Sequence, residues 1–114
     1  MGFYLLQAAY TPEAWEAMVR NPQDRSQAIE GAIRKLGGRI ERMWLSFGDT
    51  DVVGIIEMPD SVSAAAFAMA VAAGGACKTV KTTPLLTIQE GIDAARMAAT
   101  CGYQPITKTA GAGG

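Results

Sequence analysis

The stretch Ile40-Glu41-Arg42-Met43-Trp44-Leu45-Ser46-Phe47-Gly48-Asp49-Thr50-Asp51-Val52-Val53-Gly54-Ile55-Ile56-Glu57-Met58-Pro59-Asp60 decides the fold. From Arg39 the pattern repeats every two residues: Ile40, Arg42, Trp44 and Ser46 fall on one face of a strand, and Glu41, Met43, Leu45 and Phe47 on the other. Gly48-Asp49-Thr50 interrupts that pattern as a turn. Val52, Val53, Ile55 and Ile56 then make a β-branched run, within which Gly54 signals a bulge or a close approach by another group. Pro59 ends the second strand because it has no N–H to give to a ladder. The whole reads as the central hairpin of a small domain.

On the N-terminal side, Phe3 to Tyr10 is apolar on both faces apart from Gln7, as in an interior strand. Thr11 and Pro12 suit the cap and first position of a helix carrying Glu13, Trp15 and Met18, which breaks at Asn21-Pro22. Asp24 can cap a second helix, with Ala28, Ile29, Ala32, Ile33 and Leu36 on one stripe and Gly37-Gly38 at its end. On the C-terminal side, Asp60 caps a helix from Ser61 to about Ala73, built from Ala with Phe67, Met69 and Val71. Such a helix has no solvent face, so it is expected to lie on the sheet on one side and on a second subunit on the other.

Gly74-Gly75 stops that helix, and Cys77 to Thr87 reads as a fourth strand, placed at a sheet edge by Pro84. Thr87-Ile88-Gln89-Glu90 is a capping-box pattern opening a last helix to about Thr100, with Ile88, Ile92, Ala95 and Ala99 on one stripe. The sequence is expected to form one domain over residues 1–101. Residues 102–114, ending Ala110-Gly111-Ala112-Gly113-Gly114, are expected to be a flexible tail, too poor in apolar side chains to order itself.

The element order is strand, helix, strand, strand, helix, strand and one extra helix, with the first helical region broken in two. Two βαβ-like halves joined by a hairpin predict an α+β, ferredoxin-like βαββαβ fold: an antiparallel four-stranded sheet with its main helices on one face. The other face, carrying Trp44, is left open, so the chain is expected to be at least a dimer.

Composition narrows the function classes. The 114 residues are 49% apolar, with 10 Lys and Arg against 11 Asp and Glu. The cations are scattered, which argues against nucleic acid or an anionic membrane as partner. Met1-Gly2-Phe3-Tyr4 has no secretion-signal pattern and the longest apolar run, Ala64 to Ala73, is too short for a bilayer, so the expectation is a soluble cytoplasmic protein. There is no His, which removes the commonest metal ligand and general base. With dispersed carboxylates and two distant cysteines, no metal site and no cofactor are expected, and Cys77 and Cys101 read as buried thiols. Both Gly pairs follow helices rather than precede them, so no phosphate loop is formed.

Phe47-Gly48-Asp49-Thr50-Asp51-Val52-Val53, followed by Glu57-Met58-Pro59-Asp60 and an Ala-rich helix, resembles the GYD domain family of small bacterial proteins. The likeness runs from about Phe3 to Thr87 and includes Asp24-Arg25, Gly37-Gly38 and Lys81-Thr82-Thr83. Where the family motif has Tyr this chain has Thr50, while Gly48 and Asp51 remain. The resemblance implies a ferredoxin-like fold of the dimeric α/β-barrel type and brings no established activity.

Each candidate residue carries two readings. Asp51 accepts N–H groups of its own turn, the favoured role, or faces a ligand; Gly48 supplies a positive φ. Glu57 interrupts an apolar strand and needs a partner: Lys81 provides one within the sheet or across an interface, or Glu57 keeps a raised pKa and moves protons. Trp44, flanked by Arg42 and Ser46, either anchors an interface or walls a pocket for a planar ligand, with Gln7, Tyr4, Tyr10 and Trp15 to be considered beside it. The leading expectation is an oligomeric small-ligand-binding or interaction module, with its site between subunits on the open sheet face at Gln7, Trp44, Ser46, Glu57 and Lys81. The alternatives are a cofactor-free oxygenase or isomerase acting on a small aromatic or quinone-like compound with Glu57 as base, and a purely structural assembly unit.

Overall fold

In the computed structural model, which describes residues 1–106, β1 (Gly2–Tyr10) leads into α1 (Pro12–Arg20) and α2 (Ser26–Lys35). The hairpin is β2 (Arg39–Leu45) and β3 (Val52–Met58), followed by α3 (Ser61–Gly74), β4 (Cys77–Leu85) and α4 (Ile88–Ala98). The sheet order is β2-β3-β1-β4 with every neighbouring pair antiparallel, which is the expected ferredoxin-like arrangement with β4 at an edge. The Ala-Gly run at the C-terminus lies outside the described residues, as does everything from residue 107 of the expected tail. Among the described residues no helix is long and apolar enough to cross a membrane.

Local chemistry sets the element ends. The Thr11 hydroxyl accepts the Ala14 N–H at 3.1 Å and Pro12 opens α1, while the Asp24 carboxylate accepts the Ser26 N–H at 2.8 Å just ahead of α2. Asp60 and Ser63 form a reciprocal capping box at α3, and Thr87 and Glu90 another at α4. Gly37 (φ 89°) and Gly75 (φ 80°) turn the chain out of α2 and α3 in the left-handed region. Gly38 has a packing role: a Cβ there would meet the Met58 sulfur and lie 2.5 Å from the Glu57 carbonyl oxygen.

The core lies between one sheet face and the helices, where Tyr4, Leu6, Ile56 and Met58 of the sheet meet Ile33 of α2 and Ala64 and Phe67 of α3. Of the stripe expected on α2, Ile29, Ile33 and Leu36 reach this cluster while Ala28 and Ala32 face outward. A bulge corrects the simple alternation expected along β2. The pairing passes from Ile40 opposite Ile56 to Arg42 opposite Ile55, leaving Glu41 as the extra residue. Ile40 therefore joins Met43 against the core, and Arg42 and Trp44 stay on the other face. Gly54 faces this bulged strand closely, since a Cβ would lie 3.1 Å from the Arg42 carbonyl oxygen.

Two helices are left bare within one chain. On α3 only Ala64 and Phe67 are buried, and Val62 and Met69 are 79% and 70% exposed. Every residue of α4 except Gly91 is exposed, and the radius of gyration is 19.0 Å against about 13 Å for a compact chain of this length. The cysteines depart from expectation: Cys77 is half-buried and Cys101 exposed, both as free thiols. Neither lies in the seven-residue core that α2, α3 and the sheet close.

Candidate functional site

On the open face, strand register places the sequence-predicted residues in rows. Trp44, Val53, Gln7 and Lys81 are successive partners across β2, β3, β1 and β4, so Gln7 and Lys81 stand side by side and Trp44 two strands away. Arg42, Ile55, Leu5 and Thr83 form the next row, and Arg39, Glu57, Phe3 and Leu85 the one beyond. Trp44 is half-exposed, with the Arg42 guanidinium 5.2 Å from its ring centroid in a cation–π contact.

Glu57 does not join this group. Along β1 its partner Phe3 is four residues from Gln7, which opposes Lys81, a separation of about 13 Å at strand rise. Its partner within the chain is not Lys81 but Arg39, whose Nε donates to Glu57 Oε1 at 2.7 Å while its Nη1 reaches Glu41. Arg39 becomes the neighbour because the bulge in β2 sets it opposite Glu57. Ser46 is also occupied locally: its Oγ donates to the Thr50 carbonyl at 2.8 Å, and its N–H donates to the Asp51 carbonyl at 2.8 Å. Gly48 has φ 127°, the expected positive value.

Asp51 corrects the favoured reading. Its carboxylate does not close its own turn; Oδ2 accepts the Tyr10 N–H at 2.9 Å and the Trp15 indole N–H at 3.2 Å, and its own N–H donates to the Ala8 carbonyl at 2.8 Å. The residue ties the hairpin to the end of β1 and the start of α1. Tyr10 and Trp15 themselves meet edge to face, with ring centroids 5.3 Å apart.

This junction forms one end of a cleft on the helix side of the sheet. The cleft, about 450 Å³, is floored by Leu6, Ala8 and Val52 and walled by Met18 of α1, Ile29 of α2 and Phe67 of α3. Its size is that of an ordinary small-molecule site. The polar groups on its lining are few: Tyr10, Gln23, Arg25 and Cys77. A second groove of about 280 Å³ shares Tyr10, Gln23 and Arg25 and is lined also by Met43 and Trp44, so it continues the first toward β2.

Burial raises the Tyr10 pKa, with Cys77 and Asp51 adding to the rise and Arg25 opposing it. Tyr10 is thus a neutral phenol that donates or accepts a hydrogen bond. Burial, then the Asp51 carboxylate, raises the Cys77 thiol as well, which keeps it protonated and a poor nucleophile. Arg25 makes no ion pair among the described residues. The lining is mostly apolar and carries one cationic side chain, Arg25.

Arg25 and Gln23 were not singled out by the sequence reasoning. One signal was present: at three and four positions from Arg25 neither the preceding Asn21 and Pro22 nor the following Ala28 and Ile29 is acidic, whereas Arg20, Arg34 and Arg96 have Glu16, Glu30 and Asp93 three or four positions before them. Among the described residues no three His, Cys, Asp or Glu side chains gather as a metal site. No curated protein matches this sequence. The GYD domain family profile matches residues 4–95, from near the start of β1 through all four strands into α4, and the chain therefore belongs to the GYD domain family.

Proposed function

We propose that this GYD domain is an oligomeric small-ligand-binding module, and that its ligand is a flat, mostly apolar organic molecule with an anionic or hydrogen-bond-accepting end. The observation that carries this reading is the helix-side cleft, which joins apolar walls to the neutral Tyr10 phenol and to Arg25, a cation with no ion pair among the described residues. The site is thereby moved from the open sheet face to the opposite side of the same strands.

The open face takes the other part of the proposal, pairing with the same face of a second copy as in the dimeric α/β barrels. Phe3, Leu5, Val53 and Ile55 are only half-covered there, and pairing removes them from water. The enzyme reading with Glu57 as base draws no support from position: Glu57 is held by Arg39, and its row is separated from the Trp44 row by the row of Arg42.

The test uses anilinonaphthalene sulfonate, a planar anionic aromatic whose fluorescence rises on apolar sites, with native mass spectrometry of the freshly purified protein for a retained compound. Ala17→Trp, which fills the cleft, is expected to abolish the fluorescence gain. Arg25→Gln is expected to weaken binding about tenfold, the loss of one charge-assisted contact, and Lys81→Ala to leave it unchanged. Binding that survives Ala17→Trp and is lost on Lys81→Ala would place the site on the sheet face and end this proposal.

A further inference from the structure

Two apolar helical surfaces have no partner among the described residues, and they match each other. The outer side of α3 presents Val62, Ala65, Met69 and Ala72, at three-and-four spacing, and there is no charged residue anywhere from Ser61 to Ala76. The stripe of α4 presents Ile88, Ile92 and Ala95, with Glu90 and Asp93 turned away from it and Arg96 at its flank. Small Ala side chains let a facing helix come close, and the branched Ile side chains supply the knobs that fill such a groove. An isolated helix of 11 residues is marginal in water, so α4 needs a surface to lie on.

That surface is not the α3 of its own chain. Only Leu86 and Thr87 link β4 to α4, and Leu85 is still paired with Phe3. Thr87 and Glu90 close the start of α4 right after that link: the Thr87 hydroxyl accepts the Glu90 N–H at 3.0 Å and the Thr87 N–H donates to Glu90 Oε1 at 2.8 Å. Within the chain α4 does not lie on α3, since every residue of α4 except Gly91 is exposed. We infer that α4 docks across the outer face of α3 in a second copy of this chain.

Area favours a reciprocal exchange. A helix of 11 residues is about 16 Å long and about 10 Å wide, so one crossing falls well short of the ~800 Å² per partner of a standard interface. A two-fold pair makes the crossing twice, α4 of each copy on α3 of the other, which doubles the footprint to about 320 Å² per copy, the size of a weak contact that other surfaces reinforce. The contact is separate from the open sheet face and from the cleft, and stands whether or not those proposals hold. With the sheet faces also paired, it links dimers into larger even-numbered assemblies.

The experiment is charge complementation, read by native mass spectrometry across a concentration series on the full chain. Ile92 and Met69 are both exposed, so Ile92→Lys and Met69→Glu leave the fold intact, which circular dichroism checks. Each variant alone is expected to lose one association step, its dissociation constant rising roughly 30-fold or more as a charge enters an apolar interface. Mixing the two is expected to recover at least ~10-fold of that loss, because one crossing then pairs Lys with Glu and the other is wild type. Wild-type protein monomeric throughout, variants that associate as wild type does, or a mixture without recovery would each overturn the inference.

Discussion

Replacing Asp51 with Ala is the sharpest test of the junction between the hairpin, β1 and α1. The change removes the acceptor of the Tyr10 N–H at 2.9 Å and the Trp15 indole N–H at 3.2 Å and leaves both donors half-buried. Hydrogen bonds to a charged acceptor contribute about 1.5–3 kcal/mol each when shielded. Asp51 is only half-buried, so solvent screening reduces the pair to about 2–3 kcal/mol in total. For a domain of this size that corresponds to a fall in Tm of about 10 °C.

Urea unfolding followed by tryptophan fluorescence measures the loss, and Trp15 makes the signal local as well as global. Asp51→Asn keeps an acceptor without the charge and is expected to cost about 1 kcal/mol. Trp15→Phe removes one donor, and in a double-mutant cycle with Asp51→Ala the coupling is expected to be about 1 kcal/mol. A loss below ~0.5 kcal/mol for Asp51→Ala, or a cycle that shows no coupling, would refute the reasoning that this carboxylate joins the three elements.

Other outcomes follow from single contacts. Gly38→Ala is expected to destabilise by about 2 kcal/mol or more in thermal melts, because the new Cβ meets the Met58 sulfur and the Glu57 backbone oxygen and neither the buried side chain nor the strand can move away freely. At acid pH two carboxylates at helix starts act: the side-chain and backbone donors of Ser26 hold Asp24, which lies ahead of the Arg25 cap position, below its ordinary 3.8, and the backbone and side-chain donors of Ser63 do the same for the N-cap Asp60. A depressed native pKa means that the unfolded chain takes up protons first, so this stabilisation is present above pH 3.8 and is lost as pH falls through the native values. Tm against pH is expected to fall below about pH 4, and Asp60→Asn to flatten part of that limb; an unchanged acid limb would show that the cap carries no linkage.

The order and ends of the elements were legible in the sequence because they rest on local physics. Thr11-Pro12, Asp60 and Thr87-Ile88-Gln89-Glu90 cap helices within three residues of themselves, and the two-residue period of β2 and β3 needs no distant partner to be read. The open-face row of Gln7, Trp44 and Lys81 was legible for the same reason, since alternation and pairing order determine which side chains share a face.

What failed locally failed because it depends on contacts far apart in the chain. The bulge at Glu41 moved Ile40 to the core and gave Glu57 to Arg39 rather than Lys81, and one extra residue in a strand leaves no mark in a two-residue pattern. Asp51 looked like a turn residue because turns favour Asp, yet its donors lie 41 and 36 residues away on Tyr10 and Trp15. The cleft exists only where α1, α2 and α3 close over one end of the sheet, so Arg25 and Tyr10 acquire a shared purpose through packing alone. Propensity, capping and periodicity act over a few residues and can be read from the chain, whereas register, concavity and the partners of charged groups are set by the tertiary structure because they require surfaces that exist only after folding.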